Sequence, residues 1–149
     1  MRTKVLSWYD MGRAGGLLTA PHRIRSLTGL CSAIYLAHDP DGNVVPVKAP
    51  SPASGLYIQT RGGQLVKVAI PPDCLAFQTG ETLEIATAGR LRATPHCVRV
   101  GAGPGVESVS RETFALFMQP DVSQVISENE TFGSFSKKVF SEHYEGTGM

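Results

Sequence analysis

Gly55-Leu56-Tyr57-Ile58-Gln59-Thr60-Arg61-Gly62-Gly63-Gln64-Leu65-Val66-Lys67-Val68 is the stretch from which the fold is read. Leu56 to Thr60 is rich in the aromatic and β-branched residues that suit a pleated, half-buried strand. Arg61-Gly62-Gly63 is a tight turn, and Gln64 to Ile70 reads as the antiparallel partner. Toward the N-terminus, Lys48 to Ser54 carries Pro50 and Pro52 and reads as a surface loop. Val44 to Val47 pairs back on an apolar run, Leu27 to Leu36, across the turn formers His38-Asp39-Pro40-Asp41-Gly42-Asn43. Toward the C-terminus, Cys74 to Gln78, Thr82 to Thr87 and Leu91 to Val100 are three further strand candidates, separated by Thr79-Gly80 and Ala88-Gly89-Arg90. Gly101 to Val106 is a glycine-rich connection, and Arg111 to Met118 a near-continuous apolar strand that Pro120 stops. The tail changes period. Thr131 can cap a helix, and Phe132, Phe135, Val139 and Phe140 recur at helical spacing toward Tyr144. Short strands with one terminal helix indicate an antiparallel sandwich or barrel carrying a helical appendage.

Composition bounds the function. The 149 residues fit one ordinary domain, and 42% apolar residues suffice for a packed interior. Fourteen Lys+Arg face thirteen Asp+Glu, a formal net charge of +1. That balance provides no field for steering toward nucleic acid or an anionic membrane, and Lys137-Lys138 reads as a solvated helix face. The three cysteines, Cys31, Cys74 and Cys97, form no C-x-x-C pair, so neither a disulfide framework nor a zinc knuckle is expected. Reduced thiols in a cytoplasmic compartment are. No apolar run is long enough for a signal-peptide core or a membrane span. Residues 1–25 show no sustained period and read as an irregular leader. Gly12-Arg13-Ala14-Gly15-Gly16 within it lacks the Gly-Lys-Ser/Thr ending that grips a phosphate, and is a turn.

Five segments, in order, carry a family resemblance. Gly55 to Val68 resembles the strand pair in which the isopenicillin-N-synthase-like Fe(II)/2-oxoglutarate-dependent dioxygenases carry a G-L-Q-V pattern. Phe77-Gln78-Thr79-Gly80-Glu81-Thr82-Leu83-Glu84 is similar to their N-I-G-D-x-L-E turn, with Glu81 where Asp is usual. Gly89 to Arg99 resembles the segment ending in H-R-V. Ser110 to Phe117 resembles the R-x-S strand, and Thr131 to Ser136 the start of the terminal T-F-G-D-F helix. The resemblance covers residues 26–144, leaving 145–149 as a tail. It implies a mainly β fold, a double-stranded β-helix (jelly-roll) barrel, incomplete at its N-terminal side, with a C-terminal helix.

The same resemblance implies Fe(II) as metal and 2-oxoglutarate as cosubstrate. Iron in this family sits in a facial triad of two histidines and one carboxylate, open to further ligands. His96 matches the distal histidine. As a bare residue, a histidine after Pro95 reads as a loop or core group, and its match to Val98-Arg99 turns that into a ligand position. Arg111 and Thr113, two apart on a strand, share a face. They match the clamp on the distal cosubstrate carboxylate, with Thr for the usual Ser. The alternative is an edge-strand arginine paired with Glu112 or Glu107. Leu27-Thr28-Gly29-Leu30 resembles the segment that follows the proximal His-x-Asp pair. His22 is the candidate there, one residue too close to Thr28, with Ile24 at the carboxylate position. Trp8-Tyr9-Asp10-Met11-Gly12 is a fainter match without the histidine. His38 and His143 read as solvent-facing, and Cys97 as a buried, inert thiol.

These readings leave an oxygenase that oxidises a small organic substrate and has an incomplete metal site. The alternatives are an inactive β-barrel binding module or a truncated or mis-spliced dioxygenase product. Neither nucleic acid nor membrane is an expected partner.

Overall fold

The computed structural model describes residues 18–19, 27–99 and 108–144. It is mainly β, with twelve strands and two helices among those residues. They group into two compact units: residues 18–19, 30–76, 95–99 and 108–115 in the first, 27–29, 77–94 and 116–144 in the second.

The first unit holds two antiparallel sheets. One has the order β1-β8-β5-β6, from Leu18–Thr19 (β1), Gly55–Gln59 (β5), Leu65–Lys67 (β6) and His96–Arg99 (β8). Its central hairpin is the pair read from sequence, in register Tyr57↔Lys67, Ile58↔Val66 and Gln59↔Leu65. Its turn closes through Gly63 N–H to the Thr60 carbonyl at 2.9 Å and Thr60 N–H to the Gln64 carbonyl at 2.8 Å. Gly63 sits at φ +80°, where a Cβ would be strained. β1 falls inside the stretch expected to be an irregular leader: Leu18 pairs with Val98 and Thr19 with Cys97. A two-residue edge strand is too short to leave a period in sequence.

The other sheet has the order β4-β3-β9, from Ile34–His38 (β3), Val44–Val47 (β4) and Val109–Glu112 (β9). The β3–β4 turn is the one expected at His38–Asn43, and Asp39 holds it. Its carboxylate accepts from the Asn43 N–H at 2.7 Å and the Asn43 side-chain amide at 2.8 Å. These bonds keep the Asp39 carboxyl below its ordinary pKa, the side-chain bond first.

Two long strands expected from the apolar pattern are each broken. Leu27 to Leu36 becomes Leu27–Leu30 (β2) and β3, and Arg111 to Met118 becomes the end of β9 and Ala115–Met118 (β10). The breaks lie opposite each other, with Cys31 N–H donating to the Phe114 carbonyl at 3.1 Å and the Thr113 hydroxyl to the Cys31 carbonyl at 3.3 Å. Each run thereby serves two sheets, since β2 and β10 join Ala76–Thr79 (β7) in a third, of order β10-β2-β7. Hydrophobicity is continuous across such a break, so periodicity does not register it.

Thr82 to Thr87, expected as a strand, is a helix, Glu81–Ala86 (α1). Its alternation of Leu83 and Ile85 with polar residues fits either state, and six residues are too few to form a helix unaided. Tertiary contacts decide. Thr82 is fully buried, the Glu84 carboxylate accepts the Ala93 N–H at 2.7 Å, and Ile85 packs on the second unit's core. The helix ends in a Schellman motif: Gly89 N–H reaches the Glu84 carbonyl at 2.8 Å and Ala88 N–H the Ile85 carbonyl at 3.0 Å. That motif forces Ala88 to φ +49°, a left-handed conformation costing an L-residue about 1 kcal/mol. Ala88→Gly is therefore expected to stabilise the protein by about 0.5 kcal/mol or more, because relief of strain outweighs glycine's entropy. A urea titration checks this, and a lowered midpoint contradicts it.

The second unit's core is built on Phe132–Tyr144 (α2) and a hairpin of Val125–Ser127 (β11) and Glu130–Thr131 (β12). Thr131 caps α2 as expected, its hydroxyl accepting the Ser134 N–H at 3.3 Å while Ser134 Oγ accepts the Thr131 N–H at 3.0 Å. That exchange is a capping box with serine at its third position. The first two helical N–H groups, of Phe132 and Gly133, donate to the Gln124 and Val122 carbonyls, each at 2.8 Å. Phe132, Phe135 and Val139 are buried with Ile126. Phe140, read as part of that stripe, is 48% exposed. The stripe is narrower than the sequence period suggests. Lys137 and Lys138 are exposed, as expected. Among the described residues no helix is long and apolar enough to cross a membrane.

Candidate functional site

His96, Arg111 and Thr113 all lie in the first unit. His96 opens β8, directly opposite Ile58 on β5, and is half-buried. The carbonyl of Pro95, before it, accepts the Gln59 N–H at 2.9 Å, which holds the start of β8 against β5. Strand alternation places Leu56, Ile58, Val66, His96 and Val98 on one face of this sheet. Tyr57, Gln59, Lys67, Cys97 and Arg99 take the other.

Arg111 is on β9, opposite Tyr35 of β3, and only 5% exposed. Its Nε and Nη1 are buried with no hydrogen-bond partner. Glu112 points to the opposite face of the strand, opposite Ile34. The expected alternative of an exposed arginine on a neighbouring glutamate is not what β9 presents, and Glu107 lies outside the described residues. A buried guanidinium with unsatisfied N–H groups costs several kcal/mol unless an anion meets it. Thr113 follows the end of β9, and its hydroxyl donates to the Cys31 carbonyl. To serve a carboxylate it would have to turn from that bond. Tyr35 carries no signal of its own in the sequence. Its position opposite the arginine emerges only from the β3–β9 register.

The proximal metal position cannot be built in the same way. His22, Ile24, Asp10 and Trp8 lie outside the described residues, as does the His143 side chain. Among the described residues no group of three or more His, Cys, Asp or Glu side chains is placed to hold a metal ion. His38 is exposed, with Nε2 3.0 Å from the buried Ser110 hydroxyl. Asp39 has both carboxylate oxygens engaged in its turn.

Cys97 is 4% exposed. Burial pushes its thiol above the ordinary cysteine pKa, with Arg99 pulling the other way. Arg99 itself stacks on the Tyr57 ring at 4.5 Å, a cation–π contact. Cys74 is exposed and Cys31 half-buried. With limiting iodoacetamide at about pH 8, Cys74 should be alkylated first and Cys97 last, because thiolate content and access both disfavour it. Peptide mapping of the alkylated protein reads the order, and early labelling of Cys97 contradicts it.

Comparison with known proteins supports the fold. No protein-family model matches the chain. A UPF0676 protein of Schizosaccharomyces pombe is 37% identical over 62 residues, which is 42% of this chain and 18% of that protein. The chain superposes on a candidate oxygenase from Shewanella oneidensis with TM-score 0.60 and 21% identity, covering 98% of this chain and 46% of that one. A candidate 2OG-Fe(II) oxygenase family protein from Caulobacter crescentus gives TM-score 0.52 at 20% identity, over 86% of this chain and 40% of its own. A full-length Neurospora crassa protein, solved in complex with alpha-KG, gives TM-score 0.51 at 15% identity, over 86% of this chain and 37% of its own. The fold is thus the jelly roll of these structures with its C-terminal helix, and the chain spans less than half the length of each.

Proposed function

We infer that this chain is the barrel portion of an isopenicillin-N-synthase-like Fe(II)/2-oxoglutarate-dependent oxygenase, with Arg111 as the anchor for the cosubstrate's distal carboxylate. The observation that carries this reading is the buried guanidinium on β9 with Nε and Nη1 unpartnered. A guanidinium in that state is met by an anion, and a carboxylate can take a charge-assisted N–H bond from it. Thr113 and the Tyr35 phenol are the neighbouring hydroxyls proposed to complete the carboxylate's shell. The shared fold supports the assignment.

Iron is a different matter. His96 is the proposed distal ligand and His22 the proposed second, but the described residues hold no third group that could complete a triad. When bound, iron supplies the oxygen chemistry in such enzymes. The described residues do not fit it by themselves. The function proposed for this chain is cosubstrate binding on an oxygenase fold, with a metal site that is weak as the sequence stands. The alternative reading, an inactive binding module, draws on the same observation. Its setting is proposed to be reducing and cytoplasmic, in keeping with three free cysteines.

Anaerobic titration of the purified chain with 2-oxoglutarate, then Fe(II), separates the two halves of this proposal. Calorimetry should show saturable 2-oxoglutarate binding. The metal-to-ligand absorption band should be absent or weak, and little succinate should form on admitting air. A tight one-to-one band with steady succinate production contradicts the weak site and sends the search to Asp10 and Asp41. Asp39 comes after them, since its turn already uses both its oxygens. Absence of any 2-oxoglutarate binding removes the functional reading altogether.

A further inference from the structure

The sheet that carries His96 separates its side chains by character. On the His96 face stand Leu56 and Ile58 of β5, Val66 of β6 and Val98 of β8, in register Leu56↔Val98, Ile58↔His96 and Ile58↔Val66. These strands place no charged side chain there. Both of their cations, Lys67 and Arg99, are on the opposite face, where Lys67 Nζ donates to the Pro52 carbonyl at 2.7 Å and Arg99 lies over Tyr57. Leu56, Ile58, Val98 and His96 are all half-buried, and Val66 is 43% exposed. The aliphatic wall around the histidine is therefore partly open to solvent.

A charged group brought against such a wall would shed its hydration and meet no counter-charge. A hydrocarbon group would gain, because it covers apolar surface still in contact with water. The first unit's buried cation with unpartnered N–H groups, Arg111, stands on the other sheet and is assigned to the cosubstrate. Resting on that oxygenase reading, we propose that the substrate is a neutral, predominantly hydrocarbon small molecule, held against Leu56, Ile58 and Val98 beside His96. Recognition is by exclusion of water over these side chains, with charge acting as the rejecting element.

The test needs no metal. The full chain, with Ile, Leu and Val methyls isotopically labelled, is titrated with octan-1-ol, octanoate and octylammonium, probes of equal chain length and different charge. Octanol is expected to shift the Leu56, Ile58 and Val98 methyls and to bind at least about tenfold more tightly than either ion. Ile58→Thr, which keeps the β-branch but drops the terminal methyl and adds a hydroxyl, should weaken octanol several-fold, while Gln59→Ala on the opposite face should leave it unchanged. Equal binding of the ions at these methyls overturns the proposal, as does octanol binding that leaves them unmoved. Calorimetry with 2-oxoglutarate on the same sample keeps the two readings apart. Selective octanol binding in protein that takes up no 2-oxoglutarate retains the apolar site and overturns the oxygenase reading.

Discussion

Arg111→Met is expected to make the ligand-free protein more stable and at the same time weaken its binding of 2-oxoglutarate. The wild-type guanidinium is 5% exposed with Nε and Nη1 unpartnered. Folding therefore desolvates N–H groups of a charged side chain without giving Nε and Nη1 a partner. Methionine fills a similar volume with no polar group, and replacing buried ionic groups in this way stabilises proteins by about 1–4 kcal/mol. The urea midpoint should rise accordingly. Binding moves the other way. Loss of a charge-assisted hydrogen bond, at about 1.5–3 kcal/mol, should weaken 2-oxoglutarate by at least about tenfold. Arg111→Lys should fall between, since an ammonium restores charge without the planar fork. Opposite signs for stability and affinity are what separates a site residue from a structural one. A destabilised variant with unchanged affinity would identify Arg111 as a structural group and remove the cosubstrate assignment.

Phe132→Ala is expected to cost about 3–5 kcal/mol, the usual penalty for emptying a buried aromatic site. Phe132 is 4% exposed within a cluster of Ile126, Phe135 and Val139 against which Ile85 packs. Few other buried apolar side chains are available to the second unit, whose described buried cluster has only these four members. Set against a typical total of about 5–15 kcal/mol, such a loss would leave the C-terminal helix barely held. Amide hydrogen exchange along residues 132–141 should accelerate sharply, together with a lowered urea midpoint. Phe140→Ala, at a site 48% exposed, should change stability by no more than about 0.5 kcal/mol. Equal effects of the two substitutions would mean that α2 is held by something other than this cluster.

That contrast shows how far the helical period could be trusted. It identifies α2, its capping threonine and three of its buried residues. It cannot tell that Phe140 lies outside the contact, because the width of a buried stripe depends on what packs against it. The hairpin at Gly55–Val68 was legible because its turn closes locally. Gly63 at positive φ and the bonds between Thr60 and Gln64 write its geometry in neighbouring residues. The helix at Glu81–Ala86 was not legible. Its six residues alternate like a strand, and only burial of Thr82, the Glu84–Ala93 bond and the contact of Ile85 choose the helical state.

The candidate site divides along the same line. Sequence by itself determined the residue types: a histidine before Val98-Arg99, and an arginine with a hydroxyl two residues on. It also determined that an aliphatic residue, Ile24, stands where the resemblance calls for a carboxylate. Only tertiary structure decided what surrounds them. Burial of Arg111 with Nε and Nη1 unpartnered, Tyr35 opposite it and the turn of Thr113 toward Cys31 all follow from the pairing of β3 with β9 and the break after Glu112. The charge-free face around His96 follows from the registers of β5 with β6 and β8. Register joins residues far apart in the chain, and no local propensity encodes it. A shift of one residue along β8 would move His96 to the side of the sheet that carries Lys67 and Tyr57.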